Sequence, residues 1–77
     1  MSELSDKILK LTLNYIGPAS QAFLERQTTK HMNGLIFADL EKNHLVDLAR
    51  WVAISAALLI DGQKAKELSE RILKLSS

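Results

Sequence analysis

The chain has 77 residues and no cysteine, and its ten Lys and Arg against nine Asp and Glu give a net charge of +1. The lack of cysteine excludes a disulfide framework and thiolate metal sites. The near-neutral balance lacks the basic excess typical of proteins that bind nucleic acid or anionic membranes. A core of this size is marginal, so tight helix packing or self-association is expected to stabilise it.

The first half of the chain is predicted to form two helices. Ser2 is the predicted N-cap of the first, and apolar residues recur at i, i+4, i+7 and i+11 from Leu4. A second apolar face of this helix consists of Leu9, Leu13 and Ile16. Gly17-Pro18 ends the helix and begins the next, which is predicted to run to about Met32. Its predicted inner face consists of Ala19, Ala22, Phe23 and the stem of Arg26.

The second half is predicted to be organised around one very apolar helix. Asn33-Gly34 is a predicted stop, followed by an apolar plug over 35–37 and a single helical turn over 38–42. The central helix is predicted over 45–60, with Asn43 as its cap or with a start one turn earlier at Asp39. It is apolar nearly all round and should be buried nearly all round. Few other residues can cover it, which favours a second chain as part of its surroundings. A final helix from about Gln63 carries a stripe at Ala65, Leu68, Ile72 and Leu75.

These patterns predict a single all-α domain over residues 1–77. No period-2 alternation indicates a strand, and short connections favour a compact bundle or orthogonal array of four helices, completed by dimerisation. The apolar run 51–60 is shorter than the roughly 20 residues that span a bilayer. The N-terminus also lacks the basic and apolar segments of a signal peptide. We therefore expect a soluble cytoplasmic protein without a membrane partner.

No residue pattern in the sequence predicts catalysis or a cofactor. His31 and His44 do not have the spacing of metal ligands. The serines that could act as nucleophiles have no neighbouring base in the sequence pattern. The densest acidic group lies on a face predicted to be solvated, and consists of Asp39, Glu41 and Asp47. We predict no enzyme activity, no catalytic residue, no metal and no cofactor.

One short segment resembles a known family. Residues 15–19, Tyr-Ile-Gly-Pro-Ala, resemble the opening of a small uncharacterised helical domain that occurs at the C-terminal end of bacterial and archaeal signalling proteins, including Ser/Thr kinases. The resemblance covers roughly residues 11–52, and its specific part is the five-residue opening. Residues 27–33 are more polar than is typical of that family. The resemblance implies a non-catalytic accessory module and transfers no catalytic residue.

The predicted function is a helical protein–protein interaction module that forms a homodimer. Its predicted interface consists of Leu9, Leu13, Ile16, Trp51, Ile54 and Leu58. One alternative is a nucleic-acid-binding protein that uses Arg26, Lys30 and Arg50, although basic and acidic residues are interleaved throughout. A second alternative is a regulatory adaptor that docks a larger signalling protein through the same apolar faces.

Overall fold

The computed structural model describes residues 2–77, and these residues form helices and turns without any strand. The α-helices are α1 (Glu3–Ile16), α2 (Ser20–His31), α3 (Leu45–Ala56) and α4 (Gly62–Lys74). Short 3-10 turns occupy Gly17–Ala19, Phe37–Asp39 and Lys42–His44. The radius of gyration is 10.8 Å, slightly below the roughly 11.5 Å expected for a compact domain of this length. The predicted all-α class and compactness are therefore confirmed.

Both ends of α1 follow the sequence signals. Ser2 caps the helix by accepting a hydrogen bond from the backbone N–H of Ser5 at 3.0 Å. At the other end Gly17 has φ 76° and ψ −147°, a backbone region that is essentially restricted to glycine. Pro18 is the second residue of the first 3-10 turn, and α2 begins after this turn at Ser20. The predicted break between the first two helices is therefore confirmed.

The inner face of α2 differs from the prediction. Three residues predicted to face inward are exposed, namely Ala19, Ala22 and Arg26. The residues that are buried are Ser20, Phe23, Leu24, Gln27 and Thr28. Polar residues enter this face because the helix backbone satisfies them: the Thr28 hydroxyl donates to the Glu25 carbonyl, and the Gln27 amide donates to the Phe23 carbonyl, each at 3.2 Å. A prediction based on apolar periodicity alone could not include them.

The connection between α2 and α3 begins at the predicted stop. Asn33 and Gly34 have φ values of 58° and 73°, the left-handed conformation that ends helices. Two 3-10 turns replace the predicted single helical turn. Asn43 is not the cap of α3, whose N-cap position is His44 without a side-chain capping bond. Reciprocal capping bonds occur instead in the preceding 3-10 turn, where the Glu41 N–H donates to His44 Nδ1 at 2.9 Å.

The central helix α3 is shorter than predicted, and its own chain buries one side of it. It ends at Ala56, and a tight turn follows, in which the Leu59 and Ile60 N–H groups both donate to the Ala56 carbonyl at 2.9 Å. Val46 and Ile54 are 54% and 55% exposed, so the chain alone does not bury this helix nearly all round. Burial is confined to one stripe, Leu45, Leu48, Ala49, Val52 and Ala56.

Helix α4 covers most of the buried stripe of α3. The contact between α3 and α4 is the most extensive in the structure, and α4 also contacts α1, while α2 contacts both α1 and α3. The predicted stripe of α4 is buried at Ala65, Leu68 and Ile72 and half-buried at Leu75. The buried side of α3 is therefore covered within one chain.

The φ and ψ angles of Gly17 predict a substitution effect that involves no steric clash. A Cβ at this position meets no heavy atom within 4 Å, so Gly17→Ala should lower the free energy of unfolding by backbone strain alone, by about 1–3 kcal/mol. The measurement is urea denaturation followed by circular dichroism. Gly62→Ala is the matched control, because Gly62 also has open space but no positive φ. Equal destabilisation by the two substitutions would contradict the assignment of strain to Gly17.

Candidate interaction surfaces

The part of the chain that the structure describes contains no cluster of three or more His, Cys, Asp or Glu residues placed to hold a metal ion. Within the same residues, none of the helices combines the length and apolarity needed to cross a membrane. Every buried side-chain nitrogen or oxygen of residues 2–77 has a hydrogen-bond partner. The features that could bind a partner are therefore exposed apolar side chains and the clefts beside them.

The six predicted interface residues fall into two separate groups. In α1, Leu9 and Ile16 are half-buried against the core of their own chain, whereas Leu13 is 44% exposed. In the second group Ile54 and Leu58 are 55% and 84% exposed. Helices α1 and α3 are not among the pairs that pack extensively on each other. The structure therefore does not bring the two groups together into one continuous face.

Trp51, the sixth predicted residue, is half-buried and packs against the end of α2. Its ring stacks on His31, with centroids 4.1 Å apart and planes at 10° to each other. This contact ties the last turn of α2 to the middle of α3. The sequence does not predict this contact, because no spacing rule links residues twenty positions apart in different helices.

A first apolar groove, which we name the α3–α4 groove, has a volume of about 250 Å³. Its lining is Val46, Ala49, Arg50, Ala53, Ser69, Glu70 and Leu73. Small side chains form its floor, while Val46 and Leu73 remain 54% and 42% exposed. One charged residue comes from each helix, Arg50 from α3 and Glu70 from α4. Arg50 Nη1 lies 3.8 Å from Asp47 Oδ1, and both side chains are mostly exposed. Exposed ion pairs of this kind contribute little to stability.

A second groove, which we name the α2–turn groove, lies on the α2 side of α3 and has a volume of about 210 Å³. Its lining is Phe23, Arg26, Gln27, His31, Ser55, Leu58 and Leu59. The Ser55 hydroxyl donates to the Gln27 side-chain carbonyl at 2.9 Å, which joins α3 to α2 at the base of the groove. Leu58 and Leu59 are 84% and 61% exposed at its rim.

A polar cleft of about 420 Å³ lies between α1 and α4, lined by Asn14, Tyr15, Ile60, Lys64, Glu67 and Arg71. The Tyr15 hydroxyl donates to Glu67 Oε2, and Arg71 Nη2 lies 3.8 Å from the same oxygen. The Arg71 guanidinium carbon is 5.8 Å from the centre of the Tyr15 ring, within the range of cation–π attraction. These three side chains hold α1 against α4.

The same contacts shift two pKa values in opposite directions. The hydrogen bond from Tyr15 lowers the pKa of the Glu67 carboxyl below its usual 4.5, and nearby Lys64 and Arg71 act in the same direction. The bond to Glu67 raises the pKa of the Tyr15 hydroxyl above its usual 10.0. The Glu67–Arg71 spacing was evident in the sequence, whereas the contribution of Tyr15 depends on how α1 and α4 pack.

The three basic residues considered for nucleic-acid binding do not all lie on one surface. Arg26 lines the α2–turn groove, whereas Arg50 lines the α3–α4 groove. Lys30 is exposed one turn beyond Arg26 on α2. The two arginines therefore belong to different surfaces of the molecule.

Comparison of the chain with models of known protein families finds no match, and neither the curated proteins nor the solved structures contain a matching protein.

The Tyr15–Glu67 hydrogen bond predicts a pH-dependent stability difference between the wild type and Tyr15→Phe. The bond's contribution should be complete above pH 4.5 and be lost as pH falls through the lowered pKa of Glu67. It should also be lost as pH rises above 10.0 and through the raised pKa of Tyr15. The measurement is the urea midpoint of both proteins across this range.

The matched control for this pH dependence is Glu25→Gln, which removes an exposed carboxylate whose partner is the neutral Gln21. When Glu25→Gln is introduced into both proteins, the difference in urea midpoint between wild type and Tyr15→Phe should remain. When Glu67→Gln is introduced into both, most of that difference should disappear. A difference that stays constant from acid to alkaline pH would show that the lost bond does not involve an ionised Glu67.

Proposed function

We propose that the chain is a non-catalytic helical interaction module that forms a homodimer through the α3–α4 groove. The observation that carries this proposal is the composition of the groove, which combines a floor of small residues, two exposed apolar rims and one charge of each sign. The resemblance of residues 15–19 to an accessory domain of signalling proteins is compatible with this function. The proposed occupant of the groove is a second copy of the chain.

Two-fold symmetry makes this surface complementary to itself. In a two-fold dimer the same patch of each copy meets its counterpart. Leu73 of each copy can then fill the hollow over Ala49 and Ala53 of the other. In the same arrangement Arg50 lies opposite the partner's Glu70, and symmetry produces this pairing twice. Exposed ion pairs contribute only about 0–1 kcal/mol each, so the apolar contacts stabilise the dimer while the charges select its orientation.

The area that a stable interface needs determines how far the proposed face must extend. A stable interface buries roughly 800 Å² on each partner, while the whole chain exposes 4686 Å². The dimer face must therefore occupy roughly a sixth of the surface, more than the groove itself provides. Ile54 is 55% exposed and follows Arg50 by one helical turn on α3, so the proposed face would continue across it. Leu9 and Ile16 are left outside this face because they pack against their own core.

Charge reversal at the groove tests the proposed dimer. Arg50→Glu places like charges opposite each other twice across the two-fold axis, so the dimer dissociation constant should rise by roughly tenfold or more. Adding Glu70→Arg to the same chain restores opposite charges and should restore the dimer. The measurement is sedimentation equilibrium at several protein concentrations, with far-UV circular dichroism on the same samples.

The matched control is Arg26→Glu, which makes the same charge change in the α2–turn groove and should leave the dimer unchanged. All of these variants should remain helical, because the buried stripe of α3 is covered within one chain. A wild-type chain that sediments as a monomer at every concentration overturns the proposal. If the double variant does not recover the dimer, the weakening caused by Arg50→Glu does not come from the Arg50–Glu70 pairing.

A further inference from the structure

We propose that the α2–turn groove is a second docking surface, whose ligand is an acidic amphipathic helix of a partner protein. This inference goes beyond dimerisation, because it concerns the opposite side of α3 and a different kind of partner. It rests on the apolar content of the groove, on the sign of the charges along it, and on the hydrogen bonds already made inside it.

The apolar part of the groove is presented on a hydrogen-bonded turn. Leu58 and Leu59 are adjacent in the sequence and are 84% and 61% exposed, while the buried Phe23 lines the groove beside them. Backbone bonds to the Ser55 and Ala56 carbonyls, at 3.2 Å and 2.9 Å, hold this turn. A single exposed leucine needs no explanation. Two adjacent ones at the rim of a groove form a small exposed apolar patch, which is the apolar part of the proposed site.

The charge along the groove is of one sign. Arg26 is the charged residue of its lining, and Lys30 follows one turn later along α2, a spacing that places both on one face. Neither takes part in the ion pairs found among residues 2–77. The acidic Glu25 lies in a different cleft of α2, where it accepts a hydrogen bond from Gln21 at 3.2 Å. A partner with carboxylates beside its apolar residues is therefore complementary.

The polar groups within the groove favour a helix over an extended peptide. Gln27 and Ser55 are already bonded to each other, and the Gln27 amide also donates to the Phe23 carbonyl. An extended peptide would bring backbone N–H and C=O groups that find few free partners there. A helix satisfies its own backbone and presents apolar side chains at i, i+3, i+4 and i+7. Such a ligand can contact Leu58 and Leu59 with one face and Arg26 with its acidic edge.

The aromatic residues at the end of the groove do not favour nucleic acid. Binding of single strands without sequence preference depends on aromatic faces that stack on bases. Here the rings of His31 and Trp51 are stacked on each other, 4.1 Å apart. Each ring therefore already has one face covered by the other. This arrangement favours a protein ligand whose main contacts are with leucine side chains.

The test compares two helical peptides that carry the same leucines at i, i+3, i+4 and i+7. One peptide carries Glu along the edges of its apolar face, and the other carries Lys at the same positions. In NMR titrations with the ¹⁵N-labelled full chain, the acidic peptide should shift the amide signals of Arg26, Leu58 and Leu59. The basic peptide should bind more weakly than the acidic peptide, by roughly tenfold or more.

Two substitutions assign the binding to this groove. Leu58→Ser and Arg26→Glu should each weaken binding of the acidic peptide by roughly tenfold. The matched controls are Ile36→Ser, at an exposed apolar residue in another cleft, and Lys42→Glu, at an exposed lysine before α3; both should bind like the wild type. All four sites are exposed, so the variants should keep the helical circular dichroism of the wild type.

Several outcomes overturn the proposal. These are no signal shift by the acidic peptide up to about 1 mM, equal affinity for both peptides, and equal weakening by the control substitutions. Tighter binding of a mixed-sequence oligonucleotide, or of vesicles that contain phosphatidylserine, also overturns it. Failure here is distinct from failure of the dimer, because the dimer depends on Arg50 and Glu70 and is measured without peptide.

Discussion

The structure depends on burial of one apolar stripe of α3 against α4. The stripe includes Leu45, Leu48 and Val52, all fully buried, and α4 supplies Leu68 and Ile72 opposite them. Each such side chain contributes about 1.5–3 kcal/mol when it leaves water, in a domain whose total stability is expected to be about 5–15 kcal/mol. Because α3 is also apolar on its remaining sides, it has more apolar surface than its own chain covers. The exposed Val46 and Ile54 are the direct result.

The two sides of α3 have different chemistry, although they belong to the same helix. Towards α4, small residues lie between Arg50 and Glu70, and this balanced pair of charges suits a copy of the same surface. Towards α2, the charge is contributed by Arg26, and the apolar content lies in Leu58 and Leu59 after the helix has ended. Self-association and docking of another protein can then occur together, because neither proposed surface uses the residues of the other.

The sequence predicts the features that depend on local chemistry. The cap at Ser2, the break at Gly17, the left-handed Asn33 and the inward stripe of α4 all follow from residue preferences or helical spacing. The inward position of Gln27 is missed because its hydrogen bonds are invisible to a hydropathy pattern. The end of α3 is missed because residues 57–60 are apolar and contain no stop signal. The grooves are missed because each combines side chains of two segments, whose contact depends on the packing.

The buried hydroxyl groups have a consequence for how this chain can diverge. Thr12, Ser20 and Ser69 each donate to a carbonyl three or four residues earlier in the same segment. These bonds need no partner on a neighbouring helix, whereas the Gln27–Ser55 bond joins two helices. Over evolutionary time, the exposed rim residues of the grooves, such as Val46, Leu58 and Leu73, can change without disturbing the interior. A duplicated copy of this sequence could acquire a new binding preference through a few surface changes while it keeps the ancestral core.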